Sequence, residues 1–179
     1  MARTLAVDEK PLDWIGSSKR DFLAFPERVK DDMGNALGVA QFGGRHPAAK
    51  PWKGQGPLSR ITRPAMARRR VEARGAITRG TTNVFADLGY ADAEERQTKL
   101  RLAYAINQLV AERRLTQTGA ASALGINQPK VSALQRYKLE GFSVERLMTF
   151  LTALGQDIEI VIRKKPRSRP AARITVVAA

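Results

Sequence analysis

The chain has 179 residues, enough for one ordinary domain or a small domain with appendages, and its 31 lysines and arginines against 17 acids leave a formal net charge of +14. Such an excess specifies no fold but favours polyanionic partners, chiefly nucleic acid or an anionic membrane surface. Cysteine is absent and the single histidine, His46, stands in a Gly/Pro loop, which excludes disulfides and thiolate metal sites and points to no metal, no cofactor and no enzyme.

No apolar run approaches the ~20 residues that span a bilayer, and no signal peptide opens the chain, so the expectation is a cytoplasmic protein without a membrane partner. Taken in order, Leu5 to Val7 is a short apolar run of strand type. Ser17 or Ser18 can cap a short helix through Phe22 and Leu23, and Pro26 can start a second helix with Glu27 in its first turn. Val29, Met33, Leu37 and Ala40 recur at helical spacing, and Gly43-Gly44 ends the pattern. Residues 43–83 then carry ten Lys or Arg against one acid, Glu72, among frequent Gly and Pro. Burial cannot offset chain entropy in such a stretch, so residues 57–83 are expected to be a flexible basic linker, either a solvated segment without a partner or a nucleic-acid-binding arm whose Arg68-Arg69-Arg70 touches DNA phosphate or a minor groove.

Asn83 to Ala91 is an irregular entry with Phe85, Leu88 and Tyr90 as docking residues. A scaffold helix is expected from about Asp92 to Arg114, with Leu102, Ile106, Leu109 and Val110 as its apolar stripe and Leu100 and Ala103 beside it. The stretch Thr116 to Tyr137 follows, and it carries the functional signal. A helix from about Thr116 to Ala123, a corner at Leu124-Gly125-Ile126 and a second helix from Asn127 to about Arg136 make a helix-turn-helix. Gly125 accepts the positive φ of the corner, and Ala120 and Ala121 permit close approach. Leu124, Ile126, Val131 and Leu134 supply the shared core, while Asn127 is a good N-cap and Pro129 is tolerated in a first turn. After a loop at Lys138 to Gly141, Ser143 caps a further helix with Leu147, Phe150, Leu151 and Leu154 buried, and Gly155 stops it. Asp157 to Arg163 alternates with the period of a strand, Ile158, Ile160 and Ile162 facing one way. A lone strand is unstable. Its partner is either Ile174 to Val177, in a hairpin, or the same strand of a second copy.

Ala121, Gly125, Val131 and Leu134, with the opening Leu115-Thr116-Gln117, stand at the spacing of XRE (Cro/cI-like) helix-turn-helix domains, which the chain resembles. The flanking sequence, roughly Met66 to Pro166, is similar to HigA-type antitoxins. That resemblance implies a mainly α, five-helix-type domain over residues 84–163 with a C-terminal dimerising strand (Ile158, Ile160, Ile162). It also implies a dimeric repressor of its own operon and a cognate HigB-like toxin as a second partner. Residues 11 to about 56 resemble the N-terminal half of a HigB/RelE-like toxin in Trp14 to Ser18, Phe25-Pro26, Ala36-Leu37, Ala40-Gln41 and His46-Pro47 to Lys50-Pro51. The sheet half of such a toxin is missing, and Met66 looks like the start of the antitoxin. The expected division is therefore a truncated, partly helical toxin-like segment (1–56), the linker (57–83), the DNA-binding domain (84–163) and a basic tail (164–179).

A recognition helix enters the major groove of duplex DNA and presents side chains to base edges. Gln128 suits a bidentate contact to adenine, Lys130 suits guanine, and Pro129 and Ala133 suit a thymine methyl. Gln117, Asn127, Arg136, Tyr137 and Lys138 flank the motif as phosphate contacts, which hold register. The competing readings are a residual RNA-cleaving toxin centred on His46 with Arg45 and Lys53, and a toxin-binding interaction protein.

Overall fold

The computed structural model of the protein describes residues 9–50, 76–168, 172, 174 and 176. Its elements in chain order are β1 (Asp13–Ile15), α1 (Ser18–Leu23), α2 (Glu27–Gln41), β2 (Ile77–Arg79), α3 (Val84–Asp87), α4 (Ala93–Glu112), α5 (Gln117–Leu124), α6 (Gln128–Gln135) and α7 (Val144–Ala153). The described chain is mainly helical, and residues 84–153 hold the last five helices. Leu5 to Val7, Arg68-Arg69-Arg70 and Met66 lie outside the described residues.

Four helices begin where a polar side chain meets backbone N–H groups that have no helical partner. Asn83 accepts from Phe85 N at 3.0 Å and Ala86 N at 3.2 Å. Thr116 accepts from Gly119 N at 3.1 Å, Asn127 from Lys130 N at 3.0 Å and Ser143 from Arg146 N at 3.2 Å. Each such cap stabilises its helix by ~1 kcal/mol. Ser17, one of the two expected caps of α1, makes no cap bond; its hydroxyl donates to Asp21 instead, at 2.6 Å.

The core is built around α4. Its Leu100, Leu102, Ala103, Ile106 and Val110 are buried against α3, α6 and α7, whose Phe85, Val131, Leu134, Leu147 and Phe150 are sealed from solvent. Arg113, at the C-cap of α4, donates to Leu154 O at the end of α7 and so closes that pair of helices.

The N-terminal segment packs on the same core, although the apolar repeat expected to bury α2 is not the face that does so. Val29 and Met33 are 37% and 41% exposed, and Ala40 is exposed. The buried face is Gly34, Gly38, Val39 and Gln41. The reason is distance. A Cβ on Gly38 would lie 2.4 Å from Leu100 Cδ2, and one on Gly34 would lie 3.3 Å from Phe85 Cε1. The helix docks by what these positions lack, so its backbone reaches side chains of α3 and α4. The displaced Met33 and Leu37 line instead an open cleft of about 330 Å³ with Trp14, Phe22 and Phe25.

The linker expectation also needs correction at its end. Residues 77–79 form β2, antiparallel to β1, pairing Asp13 with Arg79, Trp14 with Thr78 and Ile15 with Ile77. Gln41, 1% exposed, then joins both halves: its Nε2 donates to Lys10 O and Thr81 O, each at 3.0 Å, and its Oε1 accepts from Val84 N at 3.1 Å. Backbone pairing and one satisfied amide outweigh the basic, Gly-rich composition there. Glu9 adds a largely buried ion pair with Arg101 of α4.

The alternating segment Asp157 to Arg163 has no regular secondary structure in the single chain, and Ile160 and Ile162 are 73% and 94% exposed. The hairpin alternative does not form at the described residues of its other arm. Ile174 O accepts from Arg101 Nη1 at 3.2 Å, and Val176 packs against the core.

Candidate nucleic-acid interface

The corner between α5 and α6 is set by Gly125, whose φ of +63° lies in the left-handed region; its N–H bonds to Ser122 O at 3.3 Å. Nothing lies within 4 Å of where a Cβ would stand, so only the backbone conformation resists substitution. We expect Gly125→Ala to cost about 1–2 kcal/mol in urea unfolding, with Gly125→Asn recovering part of the loss because asparagine tolerates this region better. Equal losses in the two variants would place the cost elsewhere.

Val131 and Leu134 bury one side of α6 and leave the other outward. Gln128, Pro129 and Lys130 are exposed at its N-terminus, and Ala133 is half-buried one turn on. Gln128 is not loose: its Nε2 donates to Thr118 Oγ1 at 2.9 Å. Gln117 on α5 donates to Gln135 Oε1 at 3.2 Å, tying the start of one helix to the end of the other. Thr118 had no signal of its own in the sequence, because its importance arises only when the corner folds α5 against α6. Of the flanking positions, Gln117, Asn127, Arg136 and Lys138 are exposed, and Asn127 Oδ1 is occupied by the cap of α6.

Tyr137 departs from its expected place among the phosphate contacts. It is 5% exposed, and burial pushes its phenol above the usual range. Its φ of +56° is left-handed, a conformation that costs a non-glycine residue about 1 kcal/mol or more. Packing offsets that cost, with the ring against His46 at 5.5 Å between centroids.

The C-terminal end of α6 shows why. The last carbonyls of a helix have no helical donors and need others. Leu134 O accepts from Asn107 Nδ2 of α4 at 3.1 Å. Two of the three carbonyls that follow are met from the N-terminal segment: Tyr137 O by Asn35 Nδ2 at 3.1 Å and Arg136 O by His46 Nε2 at 3.1 Å. Ala48 N–H donates to His46 Nδ1 at 3.2 Å, so Nδ1 is the acceptor and the proton of the neutral ring sits on Nε2. Both ring nitrogens are thereby engaged, and a cleavage centre built on His46 has no free nitrogen for proton transfer.

Charge on this part of the chain has one sign. Residues 113–139 carry five Lys or Arg and no Asp or Glu. Among the described residues no group of three or more His, Cys, Asp or Glu side chains is placed to hold a metal ion, and no helix is long and apolar enough to cross a membrane.

Comparison with known families picks out this region. Residues 84–163 match a family model described as a helix-turn-helix domain. A solved structure described as an XRE family transcriptional regulator is 77% identical, with the alignment covering 49% of this chain and 99% of that one at a TM-score of 0.48. A comparison with curated proteins found no match.

Proposed function

The chain belongs to the XRE family of helix-turn-helix transcriptional regulators, a DNA-binding family, and from that premise we propose that it is a dimeric, sequence-specific repressor and antitoxin of its own operon. The observation that carries the DNA-reading part is the outward face of α6. Gln128 is held by Thr118 and stands beside exposed Lys130, at the end of the helix that enters the groove. Gln128 and Lys130 read base edges, Pro129 and Ala133 meet apolar groove surface, and Gln117, Asn127, Arg136 and Lys138 hold phosphates.

Dimerisation is supported by the exposed Ile158, Ile160 and Ile162, which alternate on a segment that lacks a partner strand among the described residues of its own chain. Two copies would address half-sites about one helical turn, ~34–36 Å, apart. The antitoxin role, with a HigB-like toxin as second partner, rests on the resemblance of the segments flanking the motif. The toxin-like N-terminal segment, in the same reading, is a relic that now packs in cis on α3 and α4.

Hydroxyl-radical footprinting on the DNA upstream of the coding sequence tests the reading. Two protected patches on one face of the duplex, arranged as an inverted repeat, are expected. Uniform weak protection of any duplex would reduce the protein to a non-specific polycation.

A further inference from the structure

Resting on that reading, we propose that the loop Gly43 to Lys50 of the N-terminal segment is part of the DNA interface, with Arg45 and Lys50 contacting backbone phosphate beside the end of the recognition helix. The placement follows from His46. Its Nε2–H is bonded to Arg136 O and its ring lies on Tyr137, so the loop is fixed against the residues at which α6 ends. Its neighbours on both sides are exposed cations, Arg45 and Lys50, and residues 33–56 contain no acid. Arg45 is further ordered by donating from Nη2 to Ala49 O at 3.1 Å, and Ala48 N–H is fixed on His46. A cation held on a short, hydrogen-bonded loop loses little freedom on meeting a phosphate.

The two halves of the patch complement each other. Arg136 and Lys138 are exposed on the segment that accepts the Arg136–His46 bond, and Arg45 and Lys50 on the loop that donates it. Tyr137, between Arg136 and Lys138 in the sequence, is buried, so in this proposal the cations of the loop take the phosphate-contacting role expected of it. The N-terminal segment therefore caps the recognition helix through Asn35 and His46 and also widens the surface that meets the duplex. Such contacts carry no base information, so their effect is on affinity at every sequence.

The test uses the full chain and two probes, the duplex upstream of its own coding sequence and a scrambled duplex of the same composition. Arg45→Ala/Lys50→Ala is compared with wild type, with Arg136→Ala, and with Arg20→Ala/Arg28→Ala. The last pair removes two exposed charges from α1 and the first turn of α2, the end of α2 remote from the loop. Binding is followed by anisotropy at several salt concentrations, and thermal unfolding by circular dichroism. The expected result is a parallel loss of affinity for both duplexes in Arg45→Ala/Lys50→Ala, with the slope of log K against log salt shallower by roughly 0.9 per phosphate contact removed. Arg20→Ala/Arg28→Ala should leave the slope at its wild-type value, and melting should not change in either pair. An unchanged slope in Arg45→Ala/Lys50→Ala overturns the proposal, as does an equal loss in the remote pair. If Arg136→Ala still weakens binding in those cases, the helix-turn-helix reading stands without the loop. If Arg136→Ala is silent too, both fail.

Discussion

Gln128→Ala/Lys130→Ala should abolish the preference of the protein for its own operator while leaving its fold and its general attraction to DNA in place. Each good bidentate base contact is worth ~1–3 kcal/mol of discrimination, so two lost contacts remove roughly 2–6 kcal/mol per half-site. At ~1.4 kcal/mol per tenfold, that is a loss of about thirtyfold at the lower end and well over a thousandfold at the upper. Neither side chain supports the core, since both are exposed on α6, so the melting temperature should stay within a degree or two. The salt dependence separates the two roles. Lys130 adds some phosphate attraction, whereas Gln128 has no charge, and Gln128→Ala alone should lower affinity without altering the salt slope. Thr118→Val, which removes the partner of Gln128 Nε2, should move the same way with a smaller effect, because the amide is freed rather than lost. Wild-type discrimination in the double variant would mean that specificity comes from elsewhere, and α5–α6 would then be a structural hairpin on a basic protein.

The recognition unit was legible because its determinants are local. Asn127 caps α6 three residues on, Gly125 takes a positive φ at the corner, and Thr116 caps α5. Each is a contact between residues close in sequence, and each has a residue type that physics nearly dictates. The scaffold stripe of α4 was legible for the same reason, since Leu102, Ile106 and Val110 are buried as their spacing requires. The docking of α2 was not. Hydrophobic periodicity counts side chains, and this interface is made by their absence at Gly34 and Gly38, where Leu100 and Phe85 fill the room. The small-residue spacing Gly34-x-x-x-Gly38 was the available sign of close approach. The β1–β2 pair, the Gln41 bridge and the Asn35 and His46 caps join residues 31 to 102 positions apart, and no local pattern announces such bonds. That is why residues 76–83 resembled the basic stretch before them and yet fold with residues 9–50.

The same bridge sets the second large expectation. Gln41→Leu keeps nearly the volume of the side chain and removes its amide, leaving Lys10 O, Thr81 O and Val84 N–H without the partner that now serves all three. Val84 N–H is the buried one of the three, and Thr81 O keeps the N–H of Leu12 at 3.4 Å, so the variant should lose roughly 1–3 kcal/mol, the cost of one buried polar group left unsatisfied, out of the 5–15 kcal/mol that holds a typical domain. The loss should fall unevenly. Residues 84–153 keep their own caps and the core around α4, whereas β1, β2 and α2 depend on this joint. Tryptophan fluorescence, to which buried Trp14 contributes, should therefore change at lower urea than the helical circular dichroism, whereas the two should coincide in the wild type. Detachment would also withdraw Asn35 and His46 from the carbonyls at the end of α6. DNA affinity should then fall for all sequences together, while discrimination by Gln128 and Lys130 persists. Coincident transitions with a loss below ~1 kcal/mol would show that the glycine face of α2, and not the amide, holds the two halves together.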